Sequence, residues 1–173
     1  MNKLISFAAM SLLWLGCDNY SDETFTINAI DEQACQIFET DTLFNQVSSH
    51  WIPDSVADAS GKIDSLLSLG AVVTVNPDSL WKIGKTDDTT FVVLSQESNG
   101  TVILYTNLNV NVTVYDASGT EQQYEPVTLD LETIAACNEI VGRKEYVLTA
   151  GQFLVRLAME EGRGFKMIVL NKE

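Results

Sequence analysis

Three cysteines (Cys17, Cys35 and Cys137) and a single histidine, His50, are the thiol and imidazole groups this chain offers for nucleophilic, acid–base or soft-metal chemistry near neutral pH. Serine, cysteine and metal-assisted hydrolysis each need a base or a ligand set, and one histidine restricts all three. His50 stands in Ser48-Ser49-His50-Trp51, which matches no nucleophile motif and reads as a surface or loop residue. The sequence holds no phosphate-binding glycine loop, dinucleotide fingerprint, HExxH or GxSxG pattern. Paired carboxylates for glycoside hydrolysis stay open, because 24 acids offer many pairs and their separation in space is not a property of sequence. Asp87-Asp88 with Thr86, Thr89 and Thr90 gathers oxygen ligands of the calcium type without DxDxDG spacing, and reads first as a polar turn between Ile83 and Phe91. Trp51 and Trp81 are suited to stacking on sugar rings, although large aromatics are more often core. No enzyme activity, metal or cofactor is expected from this set.

Composition narrows the classes further. With 173 residues, 46% of them apolar and 20% charged, the chain is too apolar for a disordered tail and suits one compact unit. A net charge of −14 repels phosphate backbones and argues against a nucleic-acid partner. The imbalance is local: residues 17–60 carry nine acids and no lysine or arginine, whereas residues 142–173 carry six bases against four acids. The acidic front suits solubility, or repulsion from anionic headgroups within a screening length of about 8–10 Å.

Residues 1–17 have the layout of a signal: Lys3, an apolar stretch over 4–15 broken by Ser6 and Ser11, then Gly16-Cys17. Twelve helical residues reach about 18 Å, short of the roughly 30 Å hydrocarbon core, so the stretch is not expected to remain as a span. Its end, Leu13-Trp14-Leu15-Gly16-Cys17, resembles the lipobox of bacterial lipoproteins. That resemblance implies diacylation of Cys17, cleavage before it, and anchoring by acyl chains. Two or three chains hold a protein stably where one holds it marginally, at roughly 0.8 kcal/mol per buried methylene. The alternative is an ordinary secretory signal with an incidental cysteine, which the bulky Trp14 disfavours. Asp18 resembles the inner-membrane retention signal of enteric bacteria; other phyla sort differently, and neither membrane is chosen from it.

If lipid takes Cys17, an even pair remains. In an oxidising envelope compartment Cys35 and Cys137 are expected to form a disulfide. Metal binding is the alternative, for which neither cysteine has a CxxC partner.

The elements that must carry these residues read mainly as strands. After an acidic tether over 17–24, residues 25–30 read as a first strand, 32–47 as helix interrupted by Thr40, Asp41 and Thr42, 54–61 as a loop, and 63–69 as a helical turn or strand ended by Gly70. Short β runs follow at 71–75, 90–94 and 101–105, the last two flanking Gln96-Glu97-Ser98-Asn99-Gly100 as a hairpin. Residues 109–115 alternate strictly, with Val110, Val112 and Val114 on one face, and Asp116-Ala117-Ser118-Gly119 supplies the turn after them. Val127, Leu129 and Leu131 alternate again before a short helix over 132–141 that carries Cys137. A closing hairpin places Phe153, Val155, Leu157 and Met159 on one face and returns Phe165, Met167 and Val169 after a turn at 160–164. About eight strands with short turns give an all-β fold: an antiparallel β-sandwich with one or two short helices, a barrel being the alternative.

The run Tyr146-Val147-Leu148-Thr149-Ala150-Gly151-Gln152-Phe153-Leu154-Val155-Arg156 and the strand over 165–170 resemble the end of pre-peptidase C-terminal β-sandwiches. Ile103-Leu104-Tyr105 and the Tyr115–Gly119 segment extend the similarity over about the last 80 residues. The resemblance implies an accessory, non-catalytic module with an adhesion or targeting role. The expected organisation is therefore a signal peptide over 1–16, a tether over 17–24 and one sandwich over 25–173. The expected function is a lipid-anchored, extracytoplasmic envelope component with a structural or protein-binding role, or else a carbohydrate-binding or adhesion module. The expected partners are a membrane, reached through acyl chains, and an envelope protein or glycan.

Overall fold

Apolar residues at every second position make a strand that must bury one face, and strands of this kind account for most of the structure. The computed structural model describes residues 28–40, 44–53, 58–75, 79–84, 87–125, 137–159 and 164–172. In chain order the elements are α1 (Ala29–Thr40), β1 (Phe44–Ser48), α2 (Ala59–Ser68), β2 (Val72–Thr74), β3 (Leu80–Gly84), β4 (Thr89–Gln96), β5 (Gly100–Thr106), β6 (Asn111–Tyr115), β7 (Glu121–Gln122), β8 (Gly142–Leu148), β9 (Gly151–Ala158) and β10 (Gly164–Lys172). Cys17, the 17–24 tether and the alternation at 127–131 lie outside the described residues. Among the described residues no helix is long and apolar enough to cross a membrane.

The strands form two open five-stranded sheets, ordered β1-β3-β10-β5-β8 and β2-β4-β9-β6-β7. The fold is thus a β-sandwich. Its eight strands β3 to β10 pair with one another only antiparallel. Each chain step within the eight crosses to the opposite sheet except β6 to β7. This double Greek-key course is the jelly-roll arrangement. The remaining two, β1 and β2, lie parallel to β3 and β4 and extend one edge of each sheet.

Three apolar clusters follow from this layering. The central one, between the sheets, holds Val92, Leu94, Val112, Val114, Val155 and Val169 with their neighbours. A second lies under α1 on the outer face of the β10/β5 sheet, around Phe38, Leu80, Tyr105 and Ile168. A third lies under α2 on the outer face of the β4/β9 sheet, around Ile63, Leu66, Phe91 and Leu154.

Several elements differ from the sequence expectation, each for a local reason. Ala29 and Ile30, expected in a first strand, open α1, because Asn28 Oδ1 accepts a hydrogen bond from Ile30 N at 3.2 Å and caps the helix. Asp31 and Glu32 in the first turn suit its positive end, and Ala34 and Phe38, four apart, bury the same face. The helix within 32–47 ends at Thr40 and the segment finishes as β1. Within the expected loop over 54–61, Asp58 instead caps α2, its Oδ1 accepting from Gly61 N at 2.7 Å. Gly70, at φ +69, ends that helix as the sequence suggested. In the expected helix over 132–141, the described part, from Cys137 to Val141, is a turn that leads into β8.

The two expected hairpins are corrected in their pairing. β4 and β5 flank the turn at 97–99 but belong to different sheets, and so do β9 and β10. β9 already has β4 and β6 on its two edges, and β10 has β3 and β5. No hydrogen-bonding edge is left for the chain neighbour. The faces were assigned correctly: Phe153, Val155, Leu157 and Met159 meet Phe165, Met167 and Val169 across the central core, face to face.

Candidate functional site

Two assemblies of polar side chains stand out, one on each outer face of the sandwich. The first fastens α1. The Cys35–Cys137 disulfide, with Cα atoms 5.9 Å apart, joins the helix to the turn before β8. One helical turn earlier on α1, Asp31 Oδ1 accepts from Tyr105 Oη at 2.6 Å and from Arg143 Nε at 3.0 Å. Arg143 Nη2 continues to Glu145 Oε2 at 3.3 Å, and Lys172 Nζ closes the chain on Glu145 Oε1 at 2.7 Å. The side chains of Arg143 and Asp31 are only 7% and 16% exposed. Tyr105 and Arg143 face each other across the β5–β8 ladder, so pairing register sets the network.

Burial, the Asp31 hydrogen bond and the Asp31 charge push the Tyr105 hydroxyl far above the usual tyrosine range. Burial opposes the Arg143 charge, but the hydrogen bond and charge of Asp31 hold its pKa above the ordinary arginine value. Because the tyrosine pKa is raised in the folded state, its contribution is fully present below the unfolded value near pH 10 and is lost as pH rises beyond it. Urea midpoints measured by circular dichroism should therefore hold steady from about pH 7 to 9 and fall above about pH 10. Tyr105→Phe should lower the neutral-pH stability by about 0.5–1.5 kcal/mol and flatten part of that fall. An unchanged alkaline slope in the variant would contradict the linkage. Burial also raises the Tyr146 hydroxyl, so a smaller decline in the same direction persists without Tyr105.

The second assembly is a groove of about 300 Å³ on the outer face of the β4/β9/β6 sheet. Its floor is Phe91 and Leu154, 8% and 4% exposed. One wall is the first turn of α2, with Asp58 and Lys62, and the other includes Tyr115 and Gly119. Gly119, at φ +85, belongs to the tight turn over 116–120. Asp116 Oδ1 holds this turn through Ser118 N at 2.9 Å and Thr120 N at 3.0 Å. The hydrogen bond from the Ser118 hydroxyl, with that from Thr120 N, keeps the Asp116 carboxyl below its ordinary pKa. Arg156 projects into the groove from β9, where it is paired across the sheet with Phe91 on one side and Thr113 on the other. Lys62 Nζ lies 5.5 Å from the centroid of the Phe91 ring.

Of the residues singled out from sequence, Cys35 and Cys137 are joined and Cys17 lies outside the described residues. Trp81 lies in the central core between the sheets, so it offers no face for stacking, and its Nε1 has no hydrogen-bond partner among the described residues. Trp51 is 56% exposed. Its neighbours tie it to the groove's floor strand: His50 exchanges backbone hydrogen bonds with Phe91 at 3.1 and 2.8 Å, and Ile52 packs in the cluster containing Phe91. Asp88 N bonds Asp87 Oδ1 at 2.8 Å within the polar turn before β4. Among the described residues no group of three or more His, Cys, Asp or Glu gathers as a metal site.

Sequence reasoning missed Asp31, Arg143, Lys62 and Arg156. Arg156 carried a usable signal: a cation at an outward position of an otherwise apolar strand, between Leu154 and Ala158. No family model and no curated protein matches the chain. Among solved structures, a beta-glucosidase from Paenibacillus barengoltzii matches with a TM-score of 0.26 and 13% identity, covering 72% of this chain. The match spans 13% of that protein's length.

Proposed function

We propose that this protein is a membrane-anchored lipoprotein of the bacterial cell envelope, held by acyl chains on Cys17. Its β-sandwich serves as a non-enzymatic structural or protein-binding component outside the cytoplasm. The observation that carries the reading is the Cys35–Cys137 bridge. Disulfides persist in oxidising compartments, and this one uses two of the three cysteines, leaving over the one that ends the lipobox-like Leu13–Cys17 segment. The segment's resemblance to lipoprotein signals supports the same address from unrelated residues.

Replacing that thiol is the direct test. Cys17→Ser should abolish incorporation of labelled palmitate and shift the protein from the membrane to the soluble fraction, because two or three acyl chains supply the anchoring free energy. Continued labelling of the variant would contradict the anchor.

A second reading, an extracytoplasmic carbohydrate-binding or adhesion module, is favoured by the exposed ring of Trp51 next to the strand that floors the groove. A glycan array read with the parent protein and with Trp51→Ala separates the two readings: signal that depends on Trp51 supports the module, and a blank array supports the protein-binding role.

A further inference from the structure

The groove between α2 and the β4/β9/β6 sheet has a chemical character that the two readings above do not use. Arg156 makes no side-chain hydrogen bond or ion pair among the described residues, although it is half-buried beside aromatic rings. Arginine elsewhere in this molecule is treated differently, as Arg143 shows by bonding two carboxylates. Lys62 brings a second cation to the same groove. A protein with 24 acids and 10 bases thus turns two of its bases toward one groove and, among the described residues, leaves the guanidinium of one of them without an ion pair.

From this charge complementarity we propose that the groove binds an acidic sugar, a uronic-acid residue of a polysaccharide. The planar fork of Arg156 matches a carboxylate bidentately. The half-buried Tyr115 ring, standing over the Phe91 and Leu154 floor, gives a sugar ring an apolar wall. Asp58, on the rim, accepts from sugar hydroxyls and repels a second negative group. One carboxylate together with several hydroxyl donors is the pattern of a uronate residue, whereas a phosphate dianion would set a second negative charge against Asp58 and a glutamyl peptide would bring it no hydroxyl donors. The proposal deepens the carbohydrate-binding reading and rests on it. It adds the class of sugar and the residue that selects it.

Calorimetric titration of the full chain in detergent micelles tests this with three probes: trigalacturonic acid, its methyl ester and hexaglutamate. The acid should bind saturably, and the ester, which keeps the rings and loses the charge, about tenfold or more weaker. Arg156→Gln should weaken the acid about tenfold or more with an unchanged melting temperature, since the side chain holds no hydrogen bond or ion pair among the described residues, and Arg156→Lys should recover only part of the loss. Equal binding of acid and ester, undiminished binding by Arg156→Gln, or absence of saturable binding by the acid would each overturn the proposal. Hexaglutamate binding as tightly as the acid would overturn it in favour of an acidic peptide. Neutral-glycan binding that depends on Trp51 and not on Arg156 would overturn it while leaving the carbohydrate-binding reading in place.

Discussion

Removing the Cys35–Cys137 bridge should lower the folding free energy by up to about 4.7 kcal/mol, the loop-entropy value for a closed segment of about 100 residues. The bridge spans 102 residues and joins the first helix to the turn that opens β8. Without it the unfolded chain regains the freedom of most of the domain. The native side changes little, because Cys137 is 3% exposed in a cluster where Ala34, Phe38 and Ile140 still pack around the helix. The Cys35→Ala/Cys137→Ala variant should keep the far-ultraviolet spectrum of the parent and melt lower by on the order of 10 °C, given roughly 2–4 °C per kcal/mol for a domain of this size. Intact mass after alkylation, with and without reductant, identifies the bridge directly. Equal melting temperatures for parent and variant would show that the bridge stabilises nothing.

The same bridge marks how far sequence reasoning reached. Composition and cysteine arithmetic paired Cys35 with Cys137 without knowing what lay around either. Alternation at Val110, Val112 and Val114, or at Phe153, Val155 and Leu157, assigned the inward face of each strand, and all six residues belong to the central cluster. A period of two assigns a face and leaves the hydrogen-bonded neighbour open. Close sequence neighbours therefore read as hairpins, β4 with β5 and β9 with β10. In the jelly roll each of these pairs is split between the two sheets instead, and long-range partners take their edges, β9 beside β4 and β3 beside β10 among them.

Helix α1 shows a different limit. Its apolar residues at 30, 34, 37 and 38 are compatible with a strand at one end and a helix at the other, and the Asn28 cap decides between them. The groove was legible only in part. Arg156 stands out within its strand, but Lys62 and Phe91 reach it from elements 94 and 65 residues away, and periodicity carries no information at that separation. Trp81 illustrates the converse. Its residue type left a stacking platform open beside the commoner core role, and its place on β3, pointing inward with Ile83, makes it core.

Asp31→Ala should destabilise the fold by about 3–5 kcal/mol, the range for taking one partner from a buried ion pair. Among the described residues the loss leaves the Arg143 guanidinium, 7% exposed, with Glu145 as its remaining acid at 3.3 Å, and Nη1 has no partner there even in the intact network. Tyr105 loses its acceptor in the same step. Asp31→Asn, which keeps an oxygen for Tyr105 and Arg143, should cost less than the alanine. Replacing both partners at once, Asp31→Leu with Arg143→Met, should recover most of the loss, since an apolar pair of similar volume removes the stranded charge along with its partner. Asp31 and Cys35 sit one turn apart on α1, and both tether that helix to the β8 side of the sheet. Their effects should therefore be coupled. With both tethers gone α1 can lift from the sheet and rehydrate Arg143, which the bridge otherwise prevents, so Asp31→Ala should cost less in the protein lacking the bridge than in the parent. Urea unfolding of the four proteins in a double-mutant cycle measures that difference, and strictly additive effects would show that the disulfide and the ion pair hold the helix independently.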